Sequence, residues 1–279
     1  MHIFYVSEHL YEEGRYRTIM HYDTVQFNTD DGIATITLNR PDRLNSFNLS
    51  LGQDLYKALK QESEDSQIQV VLIKGAGKAF CGGGDVKEMN AASNKSQYLK
   101  DLTKAIHQCI LEIRQMEKPV IAVVHGAAMG AGLSFMIACD LIVAARGTRF
   151  NTAFINIGLA PGCGTYFISR LVGYHRACEL VLLAREFSTD EALGMGIINY
   201  VAETDNLDSV AGKLVQRFLQ LPPRAVSMAK TLLNESLSNN LTGHLEQESC
   251  MAALSAGTRD FREAVQAFVE KRPPHFTGI

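Results

Sequence analysis

Two glycine-rich turns, each at the end of an apolar β-like run, constrain the fold of this chain more than any other feature. The first run, Val70 to Ile73, leads to Phe80-Cys81-Gly82-Gly83-Gly84-Asp85-Val86. The second, Val120 to Val124, leads to His125-Gly126-Ala127-Ala128-Met129-Gly130-Ala131-Gly132-Leu133-Ser134. Each places side-chain-poor backbone at the end of a buried strand. Two such turns brought together can aim two backbone N–H groups at one oxygen, the construction of an oxyanion hole. That pairing points to chemistry at a polarised carbonyl before any catalytic side chain is named.

The rest of the chain alternates strand and helix signals. Ile33 to Leu38 reads as a strand, and Leu51, Leu55, Ala58 and Leu59 as a helical stripe. Leu99, Leu102, Ile106, Cys109, Ile113 and Met116 follow a 3/4 spacing that predicts a long amphipathic helix, ended by Pro119. Leu141 to Ala144 supplies a further strand. Ser188-Thr189-Asp190-Glu191 reads as a capping box. After Leu207 the pattern is helical to the end, with Pro222-Pro223 opening one helix. The order suggests stacked ββα units, an α/β class. Residues 1–21 form an extra N-terminal arm, 22–205 the core and 206–279 a helical C-terminal part.

Composition excludes several function classes. A chain of 279 residues with 46% apolar residues has material for one large core. A formal charge of −3 without a basic run argues against nucleic acid as the main partner. Six cysteines without C-x-x-C spacing, and no apolar leader ahead of them, predict reduced thiols and a cytoplasmic location. No metal-ligand spacing and no G-x-x-x-x-G-K-[ST] loop occur, so neither a metal nor a permanently bound cofactor is expected. Pro119 to Cys139 carries no Asp, Glu, Lys or Arg and is about long enough to span a bilayer. Its Gly126, Gly130, Gly132 and Ser134 fit a buried strand, turn and helix better, so no membrane span is expected.

The landmarks then fall into a known order. Leu38-Asn39-Arg40-Pro41 with Leu44-Asn45 comes first, followed by Ala79-Phe80-x-x-Gly83-Gly84-Asp85-Val86-Lys87-Glu88-Met89. Lys118-Pro119-Val120-Ile121-Ala122, Gly130-x-Gly132 and Ala138-Cys139-Asp140 follow. Gly158-Leu159-x-Pro161, Arg170-Leu171-Val172-Gly173, Glu191-Ala192-x-x-x-Gly196-Ile197-Ile198 and Phe268-x-Glu270-Lys271-Arg272 complete the series. In these residues the chain resembles the crotonase (enoyl-CoA hydratase/isomerase) superfamily over roughly residues 22 to 276. The resemblance implies a crotonase-like spiral of repeated ββα units with a helical C-terminal trimerisation part. It also implies a homotrimer or dimer of trimers, an acyl-CoA substrate whose coenzyme A is its only cofactor-like part, and a place in fatty acid metabolism.

Residue by residue, the resemblance puts the oxyanion-hole donors at the N–H groups of Gly84 and Ala131, within a substrate-binding segment Gly82, Gly83, Gly84, Asp85, Val86. Coenzyme contacts map to Arg43, Leu44 and Lys87, with Lys271 reaching a neighbouring subunit's nucleotide. Basic groups suit its phosphates. The acyl pocket maps to Phe154, Pro161 and Gly162. The two glutamates of the family's hydratases fall at Ser134 and Phe154, and the acid of some isomerases at Gly162, in a loop about one residue shorter than the family norm. A phenyl ring exchanges no proton and an unassisted hydroxyl has no suitable pKa. Isomerisation or an atypical activity is therefore expected over hydration. Ser134 is retained as a catalytic candidate, holding a water or orienting the acyl chain with Asn156. A silent acyl-CoA-binding protein, or a thioesterase using Ser134 or Cys163, are the alternatives; Cys163 reads as a packed thiol and His107 and His125 as structural.

Overall fold

The computed structural model describes residues 7–12, 15–20 and 22–279. Within the arm, β1 (Ser7–Glu12) pairs antiparallel with β2 (Arg15–Met20), and the other residues of 1–21 lie outside the described residues. The principal sheet is built from β3 (Val25–Asp30), β4 (Ile33–Leu38), β5 (Val70–Gly75), β6 (Val120–Val124), β8 (Leu141–Ala145) and β10 (Tyr200–Ala202), in the order β10-β8-β6-β5-β4-β3. Two further short strands, β7 (Ala127–Met129) and β9 (Arg149–Asn151), lie outside it. The β3–β4 pair is antiparallel and every other neighbour in the large sheet is parallel. Parallel strands are covered on both faces, which is why β5 and β6 read as unbroken apolar runs.

Period-two alternation divides those runs between two cores. Val71, Ile73, Val120, Ala122 and Val124 face the larger core, beneath α1 (Leu49–Glu64) and α3 (Lys95–Gln115). Val70, Leu72, Ile121 and Val123 face the other, closed by Leu207, Ala211 and Val215 of α8 (Leu207–Leu219). The first helix beyond residue 205 thus covers the second face of the sheet. The remaining helices are α2 (Val86–Ala91), α4 (Ala131–Met136), α5 (Thr165–Val172), α6 (Tyr174–Leu182), α7 (Thr189–Gly194), α9 (Pro223–Glu235), α10 (Leu241–Ala256) and α11 (Arg259–Glu270). The predicted capping box opens α7: Glu191 N–H donates to Ser188 Oγ at 3.2 Å, and Ser188 N–H to the Glu191 carboxylate at 2.8 Å.

After leaving the large sheet, each turn of the chain contributes to a second, minor ladder. Phe47 bridges Gly84, Cys81 bridges Ala128, β7 pairs parallel with β9, and Phe150 bridges Phe187. Strand, ladder residue and helix then repeat, which is the expected ββα spiral. This second ladder places both glycine turns side by side.

Candidate functional site

The first turn is set by its hydrogen bonds. Gly82 N–H donates to Leu44 O at 2.7 Å, Phe47 N–H to Gly83 O at 2.7 Å, and Asp85 N–H to Phe47 O at 2.8 Å. Gly83 holds φ at +103°, a backbone conformation for which glycine is suited. A Cβ built there would stand 3.0 Å from Met129 O and 3.9 Å from Ala131 N, so the second turn lies directly against the first. Met129 N–H donates to Cys81 O at 3.0 Å and Gly130 N–H to Asn151 O at 2.8 Å, fixing the second turn in place. The N–H groups of Gly84 and of Ala131, first residue of α4, are not spent in these ladders; neither donates a hydrogen bond among the described residues.

A network behind the first turn holds it rigid. Asp85 caps α2, accepting from Lys87 N–H at 3.1 Å and Glu88 N–H at 3.2 Å. The Arg40 guanidinium reaches Asp85 and Glu88, each at 3.0 Å. Asn48 donates to Glu88 at 2.8 Å and Tyr98 to its other oxygen at 3.2 Å. Burial opposes the Asp85 charge, but the Glu88 amide, Arg40 and the Lys87 amide outweigh it and hold its pKa below the ordinary carboxylate value. Asn45, at φ +55°, donates to Ala76 O and Ala79 O, both at 2.8 Å, tying the preceding loop to the same turn.

Both turns open on a cavity of about 200 Å³ lined by Gly82, Gly83, Gly84, Val86 and Met89 on one side and Gly130, Ala131, Ala153 and Phe154 on another. Leu99, Leu102, Thr103 and Ile106 of α3 line it, with Ile157, Leu159, Ala160, Gly162 and Cys163. No carboxylate, imidazole or amine belongs to that lining among the described residues. Cys163 is its titratable group, and burial pushes the thiol up to about 11, with a Ser134 hydrogen bond pulling weakly the other way. The thiol is therefore protonated near neutral pH and a poor nucleophile there.

The candidate residues do not all meet at the cavity. Gly82, Gly83, Gly84, Val86, Ala131, Phe154 and Gly162 meet at the cavity. Asp85 and Pro161 are adjacent in sequence but absent from its lining; Pro161 lines a neighbouring cavity with Gly162. Ser134 is buried and its hydroxyl lies 3.0 Å from both Gly130 O and Cys163 O, so its proton is engaged by backbone and ties α4 to the 161–164 loop. Asn156 is exposed on a short 3-10 turn outside the lining. Arg43, Leu44 and Lys87 are exposed beside the first turn, Leu44 at φ +50° with its Cβ against Gly82. Lys271 ends α11 in the left-handed conformation and is not at the cavity. Sequence reasoning missed the α3 side chains of the lining, because a 3/4 apolar stripe reads as core. It also missed the Arg40 network, although Arg40, Asp85 and Glu88 all stand inside the quoted motifs.

Geometrically, the site offers two unspent amide donors beside an apolar cavity that holds no carboxylate. Such donors hydrogen-bond an oxygen that gains negative charge. No helix among the described residues is long and apolar enough to cross a membrane, and no cluster of three or more metal-ligating side chains occurs among them.

Comparison with known proteins shows the family. The family model described as enoyl-CoA hydratase/isomerase matches residues 28–278. A 1,2-epoxyphenylacetyl-CoA isomerase of Escherichia coli K12 is 35% identical, over 89% of this chain and 96% of that protein. A trans-2-decenoyl-[acyl-carrier-protein] isomerase of Streptococcus mutans is 33% identical over 93% of this chain and 100% of that protein. The crystal structure of an enoyl-CoA hydratase from Mycobacterium smegmatis superposes with a TM-score of 0.87 at 32% identity, covering 91% of this chain and 98% of that one. The chain belongs to the enoyl-CoA hydratase/isomerase family of the crotonase superfamily and is an enzyme of its lyase or isomerase class.

Proposed function

We propose that this enzyme binds an acyl-CoA thioester with the carbonyl oxygen between the Gly84 and Ala131 N–H groups, and that its reaction is double-bond migration or another atypical step rather than hydration. The carrying observation is the pair of unspent amides beside a cavity without a carboxylate. Charge that develops on the thioester oxygen as an α-proton leaves is stabilised there by roughly 3 kcal/mol per donor. Hydration needs water activated and a proton delivered, and Ser134 and Phe154 supply neither, one engaged by carbonyls and the other apolar. Migration needs one group that takes a proton from one carbon and returns it to another, where hydration needs both an activated water and a proton donor. Two of the relatives described above are isomerases, one named for a CoA thioester and the other for an acyl-carrier-protein thioester.

Exposed Arg43 and Lys87 beside the first turn suit the coenzyme phosphates. Lys271 would reach a nucleotide only from a neighbouring subunit of a trimer or dimer of trimers. Exposed Leu182, Leu183, Phe268 and Val269 support such assembly, being 63%, 70%, 86% and 75% exposed in the single chain. The N-terminal arm is proposed as a unit separate from the core.

The carboxylate-free lining also supports a second reading, a protein that binds the thioester without turning it over. Mass spectrometry of 2-enoyl- and 3-enoyl-CoA incubated with the protein in heavy water tests both. Deuterium gain with bond migration supports the isomerase; unchanged thioesters with confirmed binding support the silent protein. Water addition to the 2-enoyl thioester overturns the argument against hydration, and free CoA identifies a thioesterase.

A further inference from the structure

A planar trans peptide carries its C=O and N–H on opposite sides, so a hydrogen bond accepted by the carbonyl fixes where the N–H points. It also polarises the group, which makes the N–H a stronger donor. The Gly84 N–H belongs to the peptide whose carbonyl is Gly83 O, and that carbonyl accepts from Phe47 N–H at 2.7 Å, the short end of the range for such bonds. The Phe47 N–H belongs in turn to the peptide whose carbonyl is Ser46 O, and Ser46 O accepts from Arg40 Nη1. One line of hydrogen bonds therefore runs from the Arg40 guanidinium through two peptide groups to the unspent Gly84 N–H. The Cys81 thiol does not compete for Gly83 O: it lies 3.1 Å from Asn45 O and 3.7 Å from Gly83 O, and its single proton serves the nearer carbonyl.

Arg40 is held in place at both ends. Its backbone closes a turn with Asn45, which donates N–H to Arg40 O at 2.9 Å and accepts from Arg40 N–H at Oδ1 at 2.8 Å. Its side chain is 13% exposed, and Asp85 and Glu88, each 3.0 Å from Nη2, leave Nη1 to Ser46 O. Two carboxylates more than match one guanidinium, so the influence of Arg40 on the cavity passes along the hydrogen bonds rather than through space. The second donor is backed differently. Gly130 O, on the peptide of the Ala131 N–H, accepts from Ser134 N–H at 3.0 Å and lies 3.0 Å from the Ser134 hydroxyl, both neutral groups.

We propose that Arg40 is a positioning residue of the thioester site: its charged hydrogen bond to Ser46 O orients and polarises the Gly84 N–H through the Ser46–Phe47 and Gly83–Gly84 peptides. The proposal rests on the reading of Gly84 as a donor to the thioester oxygen. Such a relay strengthens a bond by about 10–30%. On one donor of an oxyanion hole that is roughly two- to fivefold in kcat, and less than about twofold in ground-state affinity.

The test compares the wild-type enzyme, Arg40→Met, an enzyme with an ester between residues 46 and 47, and the last two combined. Phenyllactate at position 47 makes the ester, keeping the ring and deleting the N–H. Each is read by infrared spectroscopy of a bound thioester carrying carbon-13 at the carbonyl, by turnover of a 3-enoyl-CoA and by calorimetric affinity for a saturated thioester. Arg40→Met is expected to raise the bound carbonyl stretch and to lower kcat roughly two- to fivefold, with affinity held within about twofold. The ester is expected to do at least as much, and Arg40→Met to add nothing to it, because the relay is already cut. Lys230→Met unpairs the buried Asp140 as Arg40→Met unpairs Asp85, and is expected to leave the stretch at its wild-type value. A folded Arg40→Met or ester enzyme with the wild-type stretch overturns the proposal. So does an Arg40→Met effect that adds in full to the ester's, or an equal shift in Lys230→Met. If Arg40→Met does not fold, the ester enzyme decides alone. A wild-type complex whose carbonyl keeps its frequency in an apolar solvent would overturn the thioester site itself.

Discussion

Replacing Ala131 by proline deletes one proposed donor while leaving the helix it begins intact. Ala131 is the first residue of α4, where the N–H has no intrahelical acceptor and proline is favoured. The residue before a proline must avoid the helical region. Gly130 stands at φ 50°, ψ −116°, the mirror image of a polyproline-type conformation, and lacking a Cβ it accommodates proline equally in either hand. Losing one donor removes roughly 3 kcal/mol of transition-state stabilisation, about 10²- to 10³-fold in kcat. A ground-state hydrogen bond contributes only about 1 kcal/mol, and the ring Cδ that replaces the hydrogen crowds the carbonyl oxygen, so affinity for the thioester is expected to fall at least about fivefold. Steady-state turnover of a 3-enoyl-CoA and calorimetric binding of a saturated thioester read the two separately, with circular dichroism confirming the fold. A folded Ala131→Pro enzyme with wild-type turnover would refute the reasoning.

Three further outcomes are expected. Arg40→Met leaves the Asp85 carboxylate, 6% exposed, without its partner and is expected to cost about 3 kcal/mol in denaturant unfolding. Because the folded pKa of Asp85 is depressed, that stabilisation is full above about pH 4, the unfolded value, and is lost as pH falls through the lower folded one. The stability gap between wild type and Arg40→Met should therefore be constant from neutral pH down to that point and shrink below it; a gap that grows in acid would contradict the assignment. Alkylation followed by peptide mass mapping should label exposed Cys250 first, with the Cys163 rate climbing with pH toward its pKa of about 11; fast labelling of Cys163 at neutral pH would revive a thiol mechanism. Gly162→Asp, with Thr103→Ala making room, installs a carboxylate on the cavity wall and should raise double-bond migration about 10²-fold. A well-folded double variant with no gain would show that a different group already carries the proton.

What could be read from the chain follows from which forces leave a local trace. Val70–Ile73 and Val120–Val124 are apolar runs buried on both faces, and Ile33–Leu38 alternates buried and half-buried residues, so all three strands were legible. Ser188 and Glu191 lie within one turn of each other, and their reciprocal hydrogen bonds are a property of four consecutive residues. The bridges Phe47–Gly84 and Cys81–Ala128 join residues dozens of positions apart without any periodicity, so the second ladder came only through the family resemblance. The side of α3 that faces the cavity carries the same Leu and Ile as the side that faces the core, and composition does not distinguish an empty neighbour from a filled one. Ser134 was legible as a hydroxyl near the turn, but its two carbonyl acceptors depend on how the 161–164 loop returns to α4.

The central claim, a thioester carbonyl held by two backbone amides, is tested most directly by isotope-edited infrared spectroscopy of a bound enoyl-CoA carrying carbon-13 at the thioester carbonyl. Hydrogen bonding from the Gly84 and Ala131 N–H groups weakens the C=O bond, so the stretch is predicted to move to lower wavenumber on binding and to recover part of that shift in Ala131→Pro. A bound carbonyl with its solution frequency in an apolar solvent, unchanged by the substitution, would contradict the account.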